Sequence, residues 1–203
     1  MDFRKAFDTV PRNKLWNRLE EIKVPFELRA AAIRLYENVI AKFKSNEGWS
    51  RDIKCNIGVK QGFPLSPILF GIYIDKIEGC LEEASCAGTF LAGIVIILLL
   101  LYADDIVLLV RCPYDLEKQL RLLKDFCSIM GMTVNTHKTK VMITKSKKDT
   151  YGNFVYDNSN LEEVSSYKYL GIDIHHKLKW NYSIKKRING GWKAYLRRSR
   201  DVG

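Results

Sequence analysis

The chain has 203 residues, of which 47% are hydrophobic and 28% are charged, proportions typical of a globular protein with one core or a little more. Lysine and arginine outnumber aspartate and glutamate by 33 to 23, so the formal net charge is +10 at pH 7. This positive excess favours a polyanionic partner, with nucleic acid first and an anionic membrane surface second.

The same sequence argues against a disulfide framework, a zinc site, a membrane span and a signal peptide. Its five cysteines have no CxxC or Cys/His spacing, which disfavours a disulfide framework or a zinc site and favours reduced thiols. The aliphatic run 94–101 is too short to cross a bilayer, and charged residues follow Met1 where a signal peptide would be apolar. We therefore expect an intracellular protein, nuclear or cytoplasmic, without a membrane partner.

The first part of the chain alternates between helical and turn-rich patterns. Pro11 begins a predicted helix that ends near Val24, and 26–44 forms a second. One face of this second helix carries Leu28, Ala32, Leu35, Val39 and Phe43. Alternation over 49–59 predicts a strand, 58–67 is a Gly/Pro-rich loop, and a further helix is expected over 66–83.

The second part begins with two apolar strands that enclose a pair of acids. An amphipathic helix is predicted over 114–130, with Gly131 as its C-cap. The inner face of that helix carries Leu116, Leu120, Leu123, Cys127 and Met130. Strands are expected in VMITK (141–145) and YKYLGIDI (167–174), and 145–160 is interpreted as a polar surface connection. The last 25 residues are basic and mostly helical in type.

Asp104 and Asp105 lie inside the apolar run LLLLYADDIVLLV (98–110). The flanking strands predict a β-hairpin with the acids at its tip, although Tyr-Ala-Asp-Asp has no Gly or Asn where a positive φ is wanted. Two carboxylates about 4 Å apart repel by roughly 4 kcal/mol at an effective dielectric near 20. A divalent cation would remove this repulsion, and oxygen ligands without His or Cys select Mg²⁺ or Mn²⁺.

A third acid is expected from MDFRKAFDTV at the other end of the chain. Asp2 follows what should be a strand, which makes it the better metal ligand. Asp8 stands just before a helix, where capping that helix is an equally good role.

These segments have a family resemblance. DFRKAFDTV, GVKQGFPLSPILF, LLYADDIVLL, GMTVNTHKTKVM and YKYLGIDI occur in an order and at spacings that resemble those of reverse transcriptases. The resemblance is to the non-LTR (LINE-type) retrotransposon group, near the group II intron enzymes, and extends from Asp2 to about Trp192. It implies an α+β fold, the right-hand polymerase palm, with a small antiparallel sheet backed by helices.

The resemblance also implies a domain plan and an activity. Residues 1–176 would form the palm, with part of the fingers–palm connection at about 45–60, and 177–203 the start of the thumb. The fingers would be largely missing, so we expect a domain truncated at both ends. The implied activity is RNA-directed DNA synthesis on an RNA template, from a DNA primer and deoxynucleoside triphosphates.

The implied catalytic centre holds two Mg²⁺ ions, with Mn²⁺ as the alternative. Asp2, Asp104 and Asp105 would be the metal ligands. Lys138 would protonate or neutralise the leaving pyrophosphate, or it is simply a solvated lysine at a strand start. Tyr102 would lie beside the metals, against the primer terminus.

The remaining implied roles concern nucleotide, template and primer. Phe7 would be the aromatic steric gate under the sugar, with a core phenylalanine as the alternative. Gln61 and Gly62 would touch template and incoming nucleotide, although a plain turn also needs glycine. Leu170 and Gly171 would form the core of the primer grip.

Two other interpretations of the whole chain stay open at this point. One is an inactive retrotransposon relic that keeps a palm fold and at most binds RNA or DNA passively. The other is a host nucleic-acid-binding module built on a borrowed palm. All three acids are present, whereas drift without selection on chemistry would have removed one, so we expect any decay to be recent or confined to truncation.

Overall fold

The computed structural model describes residues 1–46, 48–91, 93–144 and 152–200, and the chain divides into two compact units, Met1–Lys138 and Thr139–Gly203. The helices of the first unit are α1 (Ala6–Thr9), α2 (Arg12–Glu21), α3 (Phe26–Glu37), α4 (Ser66–Ile74), α5 (Lys76–Glu83) and α6 (Pro113–Met130). Its strands are β1 (Ile40–Ala41), β2 (Lys44–Ser45), β3 (Gly48–Trp49), β4 (Ile53–Lys54), β5 (Thr89–Leu91), β6 (Val95–Ile97), β7 (Leu99–Tyr102) and β8 (Asp105–Leu108).

The second unit consists of short strands and one long helix. Its strands are β9 (Lys140–Val141), β10 (Val155–Tyr156), β11 (Ser159–Asn160), β12 (Glu162–Glu163), β13 (Ser166–Tyr169) and β14 (Ile172–His175), and its helix is α7 (Asn181–Arg200). Among the described strand pairs β9–β12 is parallel and the others are antiparallel. The predicted mixture of helices and small antiparallel sheets is confirmed.

The sheet that carries the candidate site has four neighbouring segments. β7 pairs with β8 in an antiparallel hairpin that matches Tyr102 with Asp105. Met1 and Ile106 exchange two backbone hydrogen bonds, Met1 N to Ile106 O at 2.5 Å and Ile106 N to Met1 O at 3.2 Å. On its other edge, Phe3 forms an antiparallel bridge with Val134. The segment 1–4 therefore lies between β8 and residues 133–135.

Apolar side chains on one side of this sheet anchor it in the core of the first unit. Phe3, Ile106 and Val134 are 4%, 1% and 3% exposed. Fully burying a side chain of this kind contributes about 1.5–3 kcal/mol, so three of them hold the segment 1–4 firmly in register. Because side chains alternate along a strand, the neighbours of these residues point to the opposite face.

The helix α6 is close to its prediction. It begins at Pro113 and ends at Met130, and Gly131 caps it with a φ of 71°. Of the residues assigned to its inner face, Leu120, Leu123, Cys127 and Met130 are buried and Leu116 is half-buried. The helix expected over 66–83 is also present, as α4 and α5 with a break at Asp75.

The helix predicted over 26–44 is wrong in its second half. It ends at Glu37, and the segment that follows forms β1 (Ile40–Ala41) and β2 (Lys44–Ser45) instead. The helix buries Ala32 and Tyr36, whereas Leu28, Leu35 and Phe43 are 63%, 46% and 66% exposed. Tyr36 decides the inner face because its hydroxyl bonds the buried Ser66 Oγ at 3.1 Å.

Two predicted strands are shorter than expected, and one connection has structure of its own. The pattern over 49–59 yields only the last residue of β3 and the two residues of β4. VMITK contributes a single residue to β9, and its Lys145 lies outside the described residues. The β10–β11 hairpin occupies the end of the expected connection 145–160, of which 145–151 lie outside the described residues. The YKYLGIDI hairpin is present as β13–β14.

The five cysteines carry reduced thiols. No helix in the described part of the chain combines the length and the apolar character needed to span a membrane.

Candidate active site

Three predicted site residues form one row across the sheet. Because Met1 and Ile106 are an antiparallel hydrogen-bonded pair, the next pair along the two strands is Asp2 and Asp105. The β7–β8 register places Tyr102 opposite Asp105 on its other side. Opposed residues of an antiparallel pair share a face, with Cα atoms about 4.5 Å apart in a non-hydrogen-bonded pair. Tyr102, Asp105 and Asp2 thus lie side by side, away from the buried face.

Asp104 lies at the tip of the hairpin, as predicted. The loop has two residues, Ala103 and Asp104, and Ala103 takes the positive φ, 51°, that the sequence offered no glycine or asparagine to adopt. A non-glycine residue in this conformation costs about 1–2 kcal/mol. The hairpin therefore keeps both acids at its tip in spite of a backbone cost.

Electrostatic crowding is visible at Asp105. Burial raises the pKa of this carboxyl, and the neighbouring Asp104 carboxylate raises it further. Asp2 acts in the same direction, while the Met1 ammonium and Lys138 oppose the rise. Asp105 is thus close enough to both other carboxylates for them to disfavour its charged form, and the neighbouring cations only partly compensate.

Lys138 lies against Asp2. Its Nζ is 3.5 Å from Asp2 Oδ2, and its side chain is 69% exposed against 18% for that of Asp2. The lysine is held at this place by its backbone, since Lys138 N donates to Asn135 O at 3.2 Å and Asn135 N donates to Asp2 O at 2.8 Å. Lys138 is therefore both a solvated lysine and the partner of a site carboxylate.

The carboxylates do not form a ready ligand shell. Within residues 1–46, 48–91, 93–144 and 152–200, no three His, Cys, Asp or Glu side chains come close enough together to hold a metal ion. The donor chemistry nevertheless fits a hard divalent cation, because the crowded groups at this face are carboxylates whose repulsion such a cation would relieve.

A second cluster forms around Phe7 and the loop 58–67. Phe7 lies on α1, and its ring stacks on that of Phe70 with centroids 4.9 Å apart and planes at 24°. Val59 N donates to Phe7 O at 2.7 Å, and the Gln61 side-chain amide donates to Asp8 Oδ1 at 3.0 Å. The structure thus brings Phe7 and Gln61 together through two adjacent residues of α1.

Glycines shape this loop in two different ways. Gly58 has a φ of 81°, and a Cβ there would lie 2.6 Å from Asp8 O, so close packing demands glycine. Gly62 has a φ of 77°, and a Cβ added there would meet nothing within 4 Å, so its backbone faces open space. The space beside the Gly62 backbone is therefore free for a ligand to approach.

With the geometry in place, comparison with known proteins identifies the family. The family model for reverse transcriptase (RNA-dependent DNA polymerase) matches residues 1–174. This chain belongs to the reverse transcriptase family. The family acts on a nucleic acid template with nucleotide substrates, and it generally uses divalent metal ions.

Three relatives of this reverse transcriptase domain are polyproteins of retrotransposable elements. It is 29% identical over 184 residues to the Retrovirus-related Pol polyprotein from type-1 retrotransposable element R2 of Nasonia vitripennis, covering 85% of the chain and 18% of the relative. It is 28% identical over 183 residues to the corresponding polyprotein from type-2 retrotransposable element R2DM of Drosophila melanogaster, covering 85% and 17%. A Popillia japonica R2 polyprotein is 26% identical over 184 residues, covering 85% and 30%.

These matches confirm the resemblance to non-LTR retrotransposons: the chain is a reverse transcriptase domain of that kind. It spans less than a third of the length of these relatives.

Leu170 and Gly171 belong to the second unit of the reverse transcriptase domain. They are the loop of the β13–β14 hairpin, with φ values of 47° and 79°. Gly171 O accepts from Arg187 Nη2 at 3.4 Å, and Asp173 is paired with Lys186 at 2.5 Å, so α7 holds this hairpin through its basic residues.

Sequence reasoning missed three residues that support the two clusters and the role of a fourth, Asp8. Asp8 does not cap α2 and instead accepts a hydrogen bond from Gln61. Arg12 donates to Gly58 O, Tyr36 O and Ile57 O, which fastens the loop to α2 and α3. Asn135 and Phe70 stand next to Asp2 and Phe7. Asn135 and Phe70 lie within quoted family segments, which was a usable signal, whereas no local pattern indicated Arg12.

Proposed function

We propose that this domain catalyses RNA-templated DNA synthesis, adding deoxynucleotides to a primer 3′-hydroxyl. The observation that carries the proposal is the register of the segment 1–4, which sets Asp2 beside Asp105 across neighbouring strands. Residues more than a hundred positions apart in sequence thereby contribute carboxylates to one face. A fold without this chemistry would gain nothing from the repulsion that raises the Asp105 pKa.

Asp2, Asp104 and Asp105 are the residues that would hold two Mg²⁺ ions, or Mn²⁺ in their place. When bound, such ions lower the pKa of an attacking hydroxyl and stabilise the charge on a departing pyrophosphate. The carboxylates themselves supply the negative charge and the hard oxygen donors that these cations prefer.

The other residues of the first unit would position the substrates. Lys138, with an exposed ammonium beside Asp2, would neutralise or protonate the leaving pyrophosphate. Tyr102, 63% exposed in the same row as the acids, would lie against the primer terminus. Phe7 would exclude a ribose 2′-hydroxyl, and Gln61 and Gly62 would contact template and nucleotide.

Leu170 and Gly171 would contact the primer. The β13–β14 hairpin that carries them is joined to a basic helix, which suits a backbone contact with a polyanion.

Primer extension on an RNA template tests the proposal. The 203-residue chain is incubated with a DNA primer, deoxynucleotides and Mg²⁺, and Asp104→Asn is run beside it as a nearly isosteric variant without the charge. The variant should lose extension while its far-UV circular dichroism stays the same. Equal extension by the variant would remove Asp104 from the metal ligands.

Passive binding of RNA or DNA is the second candidate function, and the net charge of +10 supports it. Filter binding over a range of salt concentrations separates the two. A steep loss of affinity with salt, together with no extension under any metal, would identify a binding module of a relic. Extension that requires Asp104 would exclude that interpretation.

A further inference from the structure

The ring of Phe7 has a built support that the family roles above do not assign. Phe7 is half-buried, whereas Phe70 is 0% exposed, so the stack covers one face of the Phe7 ring with a fully buried side chain. Close-packed interiors have little free volume into which a side chain can move. The Phe70 side chain therefore has no room to move away from the Phe7 ring.

Phe70 is itself connected to the loop 58–67. Phe70 lies one helical turn after Ser66, the first residue of α4. Ser66 is 1% exposed, its Oγ donates to Lys60 O at 2.6 Å, and the Tyr36 hydroxyl bonds the same Oγ. The backbone of Phe7 is held by the same loop, through Val59 N. The Phe7 ring, Phe70 and the loop 58–67 are thus connected to one another.

We propose that Phe70 is a positioning residue that holds the Phe7 ring in place and so sets the discrimination between deoxyribonucleotides and ribonucleotides. This inference rests on the proposed role of Phe7 under the sugar. A ring can reject a single extra hydroxyl only if it cannot retreat by about the size of that group, and the stack on Phe70 blocks this retreat. Leucine at the same position fills less space and lets the Phe7 ring withdraw.

The experiment compares sugar selectivity among matched variants of the full chain. Phe70→Leu removes the support, Phe7→Val removes the ring itself, and Phe126→Leu makes the same change at a buried phenylalanine of α6 that is 6% exposed. Selectivity is the ratio of kcat/KM for a deoxynucleotide to kcat/KM for the matching ribonucleotide, in primer extension with Mg²⁺. The ratio of dissociation constants for dATP and ATP, from displacement of a fluorescent deoxynucleotide, gives the same comparison without turnover.

We expect Phe70→Leu to lower the selectivity about tenfold, in the range by which an apolar pocket discriminates one small group. The change should come mainly from a lower KM for the ribonucleotide. Phe7→Val should lower selectivity at least as much. Phe126→Leu should keep the unsubstituted ratio, because general loosening of the core does not open the space behind Phe7.

The outcomes separate this inference from the proposed function. If Phe7→Val relaxes selectivity and Phe70→Leu does not, the role of Phe70 is refuted and that of Phe7 stands. Equal relaxation in Phe70→Leu and Phe126→Leu also refutes it, since the cause is then general destabilisation. If the unsubstituted chain neither extends a primer nor prefers dATP to ATP, the proposed function fails, and the inference fails with it.

Discussion

Two hairpins of this molecule have the same strand pairing and different surroundings. β7–β8 and β13–β14 each pair four residues on four through a two-residue loop, and each begins that loop with a non-glycine residue at positive φ. Ala103 and Leu170 take this place with φ values of 51° and 47°. The loops differ at their second residue, since Gly171 also has a positive φ, 79°, whereas Asp104 does not.

The difference lies in what borders each hairpin. The segment 1–4 lies along β8 and adds Asp2 to the pair at the tip, so the first hairpin concentrates negative charge. The second is bordered by α7, whose Lys186 and Arg187 bind it, and its loop leaves Leu170 48% exposed. Similar hairpins thus carry a cluster of acids in one case and an exposed leucine beside basic residues in the other. The elements packed beside each hairpin determine this difference.

The largest expected difference between the hairpins is in catalysis. Asp105→Asn should lower the rate of primer extension by at least about 10²-fold, because it removes one of the charges that would hold the metal ions. Leu170→Asn, a change to the same residue type in the other hairpin, should lower it less than tenfold. Steady-state extension rates measure both. Similar losses in the two variants would contradict a division between a metal-binding and a primer-contacting hairpin.

Gly171 tests the backbone requirement of the second hairpin. Its φ is 79° and nothing lies within 4 Å of an added Cβ, so a substitution there measures conformational strain without a clash. Gly171→Val should lower the free energy of unfolding by about 1–2 kcal/mol. Gly171→Asn should cost less than half as much, since asparagine tolerates this conformation. Urea unfolding gives both values, and equal costs would show that strain is not the cause.

Divalent cations should stabilise the two hairpins unequally. Mg²⁺ at about ten times its dissociation constant stabilises a folded site by about 1.4 kcal/mol, which raises the Tm of a chain of this size by about 3–5 °C. EDTA should reverse the rise. Asp104→Asn should lose the response, and Leu170→Asn should keep it. A response that survives Asp104→Asn would place the cation elsewhere.

The smallest expected effect is a gain in stability at Leu170. Asn-Gly is the preferred sequence for a two-residue loop with two positive φ values, and the β10–β11 loop already has Asp157 and Asn158 in that conformation. Leu170→Asn should raise the free energy of unfolding by about 0.5–1 kcal/mol. A gain accompanied by weaker primer affinity, measured by fluorescence anisotropy, would indicate that the leucine serves the substrate. No gain would indicate that Leu170 stabilises the hairpin itself.

Prediction from sequence succeeded where one local period dominates. The apolar period of α6 and the Gly131 cap are properties of a single segment, and so are the two strands around the acids. It failed in 26–44 in two ways. The apolar period continues past Glu37, where the helix ends, and the buried contact is made by Tyr36, which lies outside the predicted apolar face. A helical period indicates which residues share a face, but the element that packs against the helix determines which face is buried.

By itself, the sequence of this reverse transcriptase domain determined the family, the hairpin that bears Asp104 and Asp105, and the identity of the charged groups. The hairpin and the charged groups depend on residue types at short spacing, and the family depends on the order of five such segments along the chain. Only the tertiary structure decided that Asp2 stands opposite Asp105, that Lys138 reaches Asp2, and that Phe70 supports Phe7. These contacts join residues far apart along the chain, and the register of strand pairing and the packing of helices, which no local pattern encodes, bring them together.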